Sequence, residues 1–339
     1  VAVQFARHQL GAVGLLQGEG RQLARLREQA HRLQLGAGRG VVAAELALRR
    51  HQAKAGGEGD HEHDQDAAVE HEASWRPGAG HHSGPRGARH GFPIYCVAPA
   101  ERAAKRAMTT HQLQTIIDLI RYGASRFNAA GLTFGHSYDN ALDEATQLTL
   151  HALHLPLELS PDDGQARVTE AEKEDVLGLF IRRIEERIPA AYLCGEAWFA
   201  GLSFKSDPRA LVPRSPIAEL IESGFEPWLA GREVRRALDL CTGSGCIAIA
   251  MAHWNPDWHV DGVDLSDDAL ALARENERRL DVHNTRFLRS DLFTALQGEH
   301  YDLIVTNPPY VTNDETDALP REYSYEPEMG LRAGDDGLD

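Results

Sequence analysis

Two short stretches of this chain combine residue types and spacings suited to chemistry. The first, Asp239-Leu240-Cys241-Thr242-Gly243-Ser244-Gly245-Cys246, reads as a buried strand that breaks into a glycine turn and opens a helix. Glycine lets backbone approach a ligand closely, and the free NH groups at a helix start hold a polar group there. Asp239 can receive an ammonium group or fix the loop. The second stretch, Asn307-Pro308-Pro309-Tyr310, puts an amide side chain between a strand end and two rigid prolines. An amide or exocyclic amino nitrogen is a poor nucleophile because its lone pair is delocalised. The side-chain oxygen of Asn307 and the carbonyl of Pro308 are two acceptors that can take its NH bonds and aim the lone pair at an electrophilic methyl, while Tyr310 packs on the flat group. As a plain alternative, Asn-Pro-Pro is also a common turn.

Between them lie two more carboxylates. Asp264 closes the next strand 19 residues beyond Gly245, where it can accept both hydroxyls of a ribose. Gly243-x-Gly245-x-x-Ala248 also fits the dinucleotide fingerprint, so this half of the site alone leaves nicotinamide chemistry open. Asp291 follows the third strand, and either accepts an adenine amino group or caps the short helix at Leu292.

The elements that must position these groups alternate. Strands are expected at 234–240, 259–264, 285–288 and 301–306, with helices at 246–254 and 267–280 and a short one near Phe293. That order predicts a doubly wound parallel sheet with its ligands at the carboxyl ends of the strands, incomplete because the sequence stops after the fourth. Ahead of it, Leu113, Ile116, Ile117 and Ile120 recur at helical spacing, and further helices are expected at 140–153 and 169–188, the latter capped by Thr169 and stopped by Pro189. A hairpin is expected over 191–204, followed by a proline-fixed turn at Pro213-Arg214-Ser215-Pro216, where Arg214 reads most simply as a surface ion pair. The expected organisation is a tract over 1–107, a helical substrate-recognition domain over 108–190, a hairpin and linker over 191–222, and a catalytic domain over 223–339.

Charge divides at the same boundary. Residues 1–107 carry 15 Lys+Arg against 11 Asp+Glu, whereas 108–339 carry 20 against 40, a net of −20. So acidic a body repels phosphate backbones and disfavours direct nucleic-acid binding, while a basic protein partner is favoured. The four cysteines include no C-x-x-C pair, which argues against a zinc site or disulfide framework and fits a reducing cytoplasm. No run of about 18 apolar residues is present, so no membrane span is expected. The 1–107 tract, rich in Gly, Ala, Arg and His, is expected to be disordered apart from a helix near 22–33. His61, His63, His71, His81 and His82 lack a fixed ligand spacing, and no metal is expected. The first methionine, Met108, stands where helical patterning begins and is the expected natural start.

From Met108 onward the chain resembles the Class I, S-adenosylmethionine-dependent protein glutamine-N methyltransferases, which carry the Asn-Pro-Pro-Tyr signature. The lead-in Thr109-Thr110-His111-Gln112-Leu113-Gln114, the Leu211-Val212-Pro213-Arg214-Ser215-Pro216-Ile217-Ala218-Glu219-Leu220 stretch and the glycine loop are similar to the branch that acts on large-subunit ribosomal protein three. The release-factor branch usually has Arg-Pro-Asp-Thr-Glu at the second of these. Glu326-Pro327 and Gly334-Asp335-Asp336-Gly337-Leu338 also match. The resemblance implies that Asp239, Cys241, Thr242, Gly243, Ser244 and Gly245 hold the methionine part of S-adenosylmethionine. It further implies that Asp264 holds the ribose, that Asp291 and Leu292 flank adenine, and that Asn307, Pro308, Pro309 and Tyr310 bind a glutamine side chain. Leu292 stands where relatives can have an aromatic ring, and the family's last strands, which complete the sheet, are absent here. Related amino-methyltransferases acting on DNA adenine or ribosomal RNA guanine share the tetrapeptide chemistry and stay open as an alternative.

Overall fold

In the computed structural model, residues 40–42, 111–229 and 231–339 are described. The histidines considered above and the expected helix near 22–33 lie outside them. Residues 114–339 fall in one compact unit, helical lead-in and sheet included.

The lead-in forms three helices, each started by a side-chain cap. In α1 (Ile116–Ala129) and α3 (Glu170–Glu185) the caps are reciprocal: Thr115 pairs with Asp118, and Thr169 with Glu172. In α2 (Ala141–Ala152), Asn140 accepts from the NH groups of Leu142 and Asp143. Their apolar stripes meet through Leu119, Phe127, Leu148 and Phe180, all buried. The Phe127 and Phe180 rings pack edge to face at 5.2 Å, directly over Gly123, where any Cβ would stand 2.5 Å from the Phe180 ring.

A short helix, α4 (Ala190–Cys194), opens the segment expected to be all hairpin. Pro189 starts it and left-handed Gly195 ends it. The hairpin itself is β2 (Glu196–Phe199) paired antiparallel with β3 (Leu202–Lys205). Helix α5 (Ile217–Glu222) leads to the main sheet.

That sheet contains β4 (Arg236–Leu240), β5 (His259–Asp264), β6 (Thr285–Arg289) and β7 (Leu303–Thr306), with α6 (Cys246–Trp254) and α7 (Asp267–Arg279) crossing between strands. All its pairings are parallel. A three-residue strand that composition did not suggest, β1 (Gly40–Val42), pairs with the outer edge of β7, giving the order β1-β7-β4-β5-β6. Alternate residues serve opposite faces: Ala237, Val260, Leu303 and Val305 pack with the apolar run Cys246 to Ala252 of α6, and Leu238, Leu240, Val263 and Ile304 pack with Phe293, Leu296 and Tyr301. Among the described residues, no helix is long and apolar enough to cross a membrane.

Candidate active site

Strand register sets the site. Leu240 stands opposite both Val263 and Thr306, and Asp264 opposite Arg289. The loops that leave β4, β5, β6 and β7 therefore emerge along one edge. The Thr306 hydroxyl donates to the Leu240 carbonyl at 2.8 Å, tying the strand that feeds the glycine turn to the strand that feeds Asn307.

Asp239 is fully buried beneath the turn, on the α6 face. Its Oδ2 accepts from the Thr242 hydroxyl at 2.5 Å and the Ala248 NH at 3.1 Å, so the carboxylate does fix the loop. Its Oδ1 is buried with no donor. Burial pushes this carboxyl up to about 7, the Thr242 and Ala248 bonds pull it down, and the Asp264 charge pushes it up again. A buried acidic oxygen without a donor is an acceptor suited to a cationic group.

The two glycines of the turn have different reasons to be glycine. Gly245 (φ +80) lies against α7, and a Cβ there would come within 2.9 Å of Ala273 Cβ. Gly243 (φ +55) has room for a side chain and only ordinary contact with Ala210, so its requirement is conformational. The Gly243 NH donates to Asp264 Oδ2 at 2.8 Å, while Asp264 Oδ1 accepts from the Ser266 NH at 2.9 Å. Burial raises the Asp264 carboxyl, and backbone bonds from Ser266, Gly243 and Leu265 offset part of that rise. Each oxygen keeps a second lone-pair position for a hydroxyl donor.

Cys241 takes a left-handed conformation (φ +63), and Ser244 is buried, its carbonyl accepting from Asn276 at 3.0 Å. Burial pushes the thiols of Cys241 and Cys246 up to about 12, which rules out a thiolate nucleophile at neutral pH. At the end of β6, Asp291 is exposed, and it is its carbonyl that accepts from Thr294. Its carboxylate does not cap the turn; the alternative reading as an N-cap does not hold. Leu292 is left-handed (φ +46) and partly buried against the Phe293 cluster.

At the end of β7, Asn307 Oδ1 is buried and has no donor. Pro308 is buried and Tyr310 is exposed. The tetrapeptide is braced from behind. Val311 NH donates to Leu331, Ala333 NH to Val311, and Gly337 packs so closely that a Cβ there would lie 2.7 Å from the Tyr310 carbonyl.

The pairing within one group of residues has no signal in the sequence. Glu326 has a fully buried carboxylate that accepts from both ends of the Arg214 guanidinium, at 2.5 and 2.6 Å, and from the Val212 NH at 3.0 Å. Arg214 is thus no surface ion pair. Its guanidinium also lies 5.5 Å from the Tyr323 ring centre. Four residues earlier, Glu322 accepts from the Thr133 NH, Arg183 and Arg187. Arg183 is itself fully buried, bonded to Glu144 at 2.6 Å and to the Thr133 carbonyl. The pairs made by Glu322 and Glu326 join residues more than a hundred positions apart, beyond any local pattern. They fasten the chain that follows the tetrapeptide to both the lead-in and the linker. Among the described residues, no cluster of three metal-ligating side chains occurs.

Comparison with known proteins finds relatives by sequence. The family model described as the methyltransferase small domain matches residues 226–321. The ribosomal protein uL3 glutamine methyltransferase of Xanthomonas campestris pv. campestris is 78% identical over 233 residues, covering 69% of this chain and 76% of that protein. Its counterpart in Neisseria meningitidis serogroup B is 50% identical over 230 residues, covering 67% and 76%. Among solved structures, a methyltransferase from Pyrococcus furiosus is 25% identical with a TM-score of 0.27, covering 32% of this chain and 54% of that one. By the identity and coverage of the first two, this chain belongs to the ribosomal protein uL3 glutamine methyltransferase family.

Proposed function

We propose that the chain methylates the side-chain amide nitrogen of a glutamine in ribosomal protein uL3, using S-adenosylmethionine. The observation that carries this reading is the pair of buried oxygens without donors, Asp239 Oδ1 on β4 and Asn307 Oδ1 just past the end of the neighbouring β7, the two strands being held in register. The residues fit the cofactor: Asp239 offers its spare oxygen to the ammonium group, the 241–245 turn offers backbone NH groups, and Asp264 offers lone pairs to the ribose. Asp291 and Leu292 would flank adenine. S-adenosylmethionine supplies a methyl group made electrophilic by its sulfonium.

The protein's own part is orientation. Asn307 Oδ1 and the Pro308 carbonyl take the two NH bonds of the glutamine amide and turn its lone pair toward the turn, with Pro309 fixing the backbone and Tyr310 covering the amide plane. An alkylated amide nitrogen is strongly acidic and loses its proton to water, so no dedicated base is needed. The net charge of −20 over residues 108–339 favours a basic substrate protein met in the cytoplasm.

Incubating the chain with labelled S-adenosylmethionine and purified uL3, then mapping the label by mass spectrometry, tests the reading. Label on one glutamine is expected. Label on purified DNA or ribosomal RNA and none on uL3 would replace it with the nucleic-acid amino-methyltransferase.

A further inference from the structure

Away from the strand ends, an open groove of about 180 Å³ runs between α2 and β2, lined by Gln147, His151, Leu155, Leu157, Glu196 and Trp198. We propose that it docks an extended basic segment of the protein substrate, a segment separate from the glutamine that is methylated. This proposal rests on the substrate class given above.

Three observations carry it. The first is Gln147, only 4% exposed, whose Oε1 is buried without a donor. An acceptor left like this is destabilising unless something reaches it. A primary amide offers an acceptor and a donor side by side, the complement of one peptide unit's NH and carbonyl. The second is the apolar wall. Leu155 and Leu157 are each 38% exposed and Trp198 is 50% exposed, all three along one groove. An exposed indole face beside a carboxylate suits the stem and charge of a lysine or arginine.

The third is charge. Residues 111–195 hold 13 Asp+Glu against 7 Lys+Arg, a net of −6. Asp143 and Glu196 both act on the Tyr138 phenol, which burial raises above its ordinary value first of all, followed by Cys194 and then these two carboxylates. Glu196 accepts from the Ser203 hydroxyl and pairs with Arg279 at 3.5 Å, at the edge of the groove. Amide, apolar wall and carboxylate together select an extended chain with alternating apolar and basic side chains.

The test uses the full chain, S-adenosylmethionine and purified uL3, with KM for uL3, kcat and cofactor affinity measured separately. Trp198→Ala and Gln147→Leu are expected to raise KM for uL3 about tenfold and Glu196→Gln about threefold, the last only at low salt, with kcat and cofactor affinity unchanged. Thermal melts identify any variant that fails to fold, and because Trp198 is half-exposed its truncation keeps the test open. Unchanged KM in folded Trp198→Ala and Glu196→Gln overturns the groove while leaving the methyl-transfer reading intact. Absence of transfer to uL3 by the unaltered protein overturns both.

Discussion

Thr306 stands opposite Leu240 in parallel register, and its hydroxyl donates to the Leu240 carbonyl at 2.8 Å. One residue further along each strand, the chain becomes the glycine turn on one side and Asn307 on the other. Neighbouring parallel strands lie about 4.8 Å apart, so this single pairing fixes the spacing of two loops separated by some sixty residues of sequence. A methyl donor held by one loop and an amide held by the other are within reach because of it.

Asn307→Ala removes the acceptor that orients the amide without touching the glycine turn. Methyl transfer to uL3 is expected to fall at least about 100-fold, while the affinity for S-adenosylmethionine measured by calorimetry stays within about twofold. Transfer at the unaltered rate would take Asn307 out of the mechanism.

Asp239 makes the free protein and the loaded protein respond oppositely to pH. Its carboxyl, raised from 3.8 to about 7, binds a proton more tightly in the folded than in the unfolded chain. The stability it contributes is complete below about pH 4 and is lost as pH rises through 7. Asp239→Asn is therefore expected to melt higher than the parent at pH 8, by up to a few kcal/mol, with the gap closing toward pH 5. The parent's affinity for the cofactor should fall as pH drops below 7, because a protonated Asp239 no longer faces the ammonium group with a charge. Melting curves and cofactor titrations at pH 5, 6, 7 and 8 check both; a gap independent of pH would contradict the assignment.

Arg214→Ala leaves the Glu326 carboxylate buried without its ion partner. Breaking a buried pair in this way typically costs about 3–5 kcal/mol, and a loss of that size is expected in urea unfolding. Arg214→Lys should recover only part, since an ammonium cannot match the two-pronged contact.

Gly245→Ala meets two obstacles, the left-handed backbone (φ +80) and the Ala273 side chain 2.9 Å away. A loss of about 1–3 kcal/mol is expected together with weaker cofactor binding. Ala273→Gly added to it should restore part of the stability by clearing the contact, the left-handed strain remaining. If the double variant is no more stable than the single one, helix packing is not what Gly245 serves.

Much of the frame could be read from the sequence because local rules govern it. Helix α6 and strand β5 lie where periodicity places them, at Cys246–Trp254 and His259–Asp264. Thr169 and Asn140 cap their helices as their residue types dictate. The last strand starts two residues later than expected, at Leu303, because Asp302 turns its side chain back to accept from the Arg235 and Arg236 NH groups. Strand β1 escaped notice since three residues are too few to show a period. Asp264 stands where a ribose is expected, and in the structure its carboxylate accepts from the Gly243 NH and from the Ser266 NH at the start of α7. Arg214 and Glu326 are 112 positions apart, and no spacing rule links two opposite charges at such a distance.

Residues 322–326 grip the lead-in through Glu322 and the linker through Glu326, both with buried carboxylates. Ion pairs of this kind tolerate little change in geometry. A chimera that grafts another relative's helical lead-in onto this catalytic frame must carry its own version of that pentapeptide and of Arg214, since the three stretches behave as one exchangeable module.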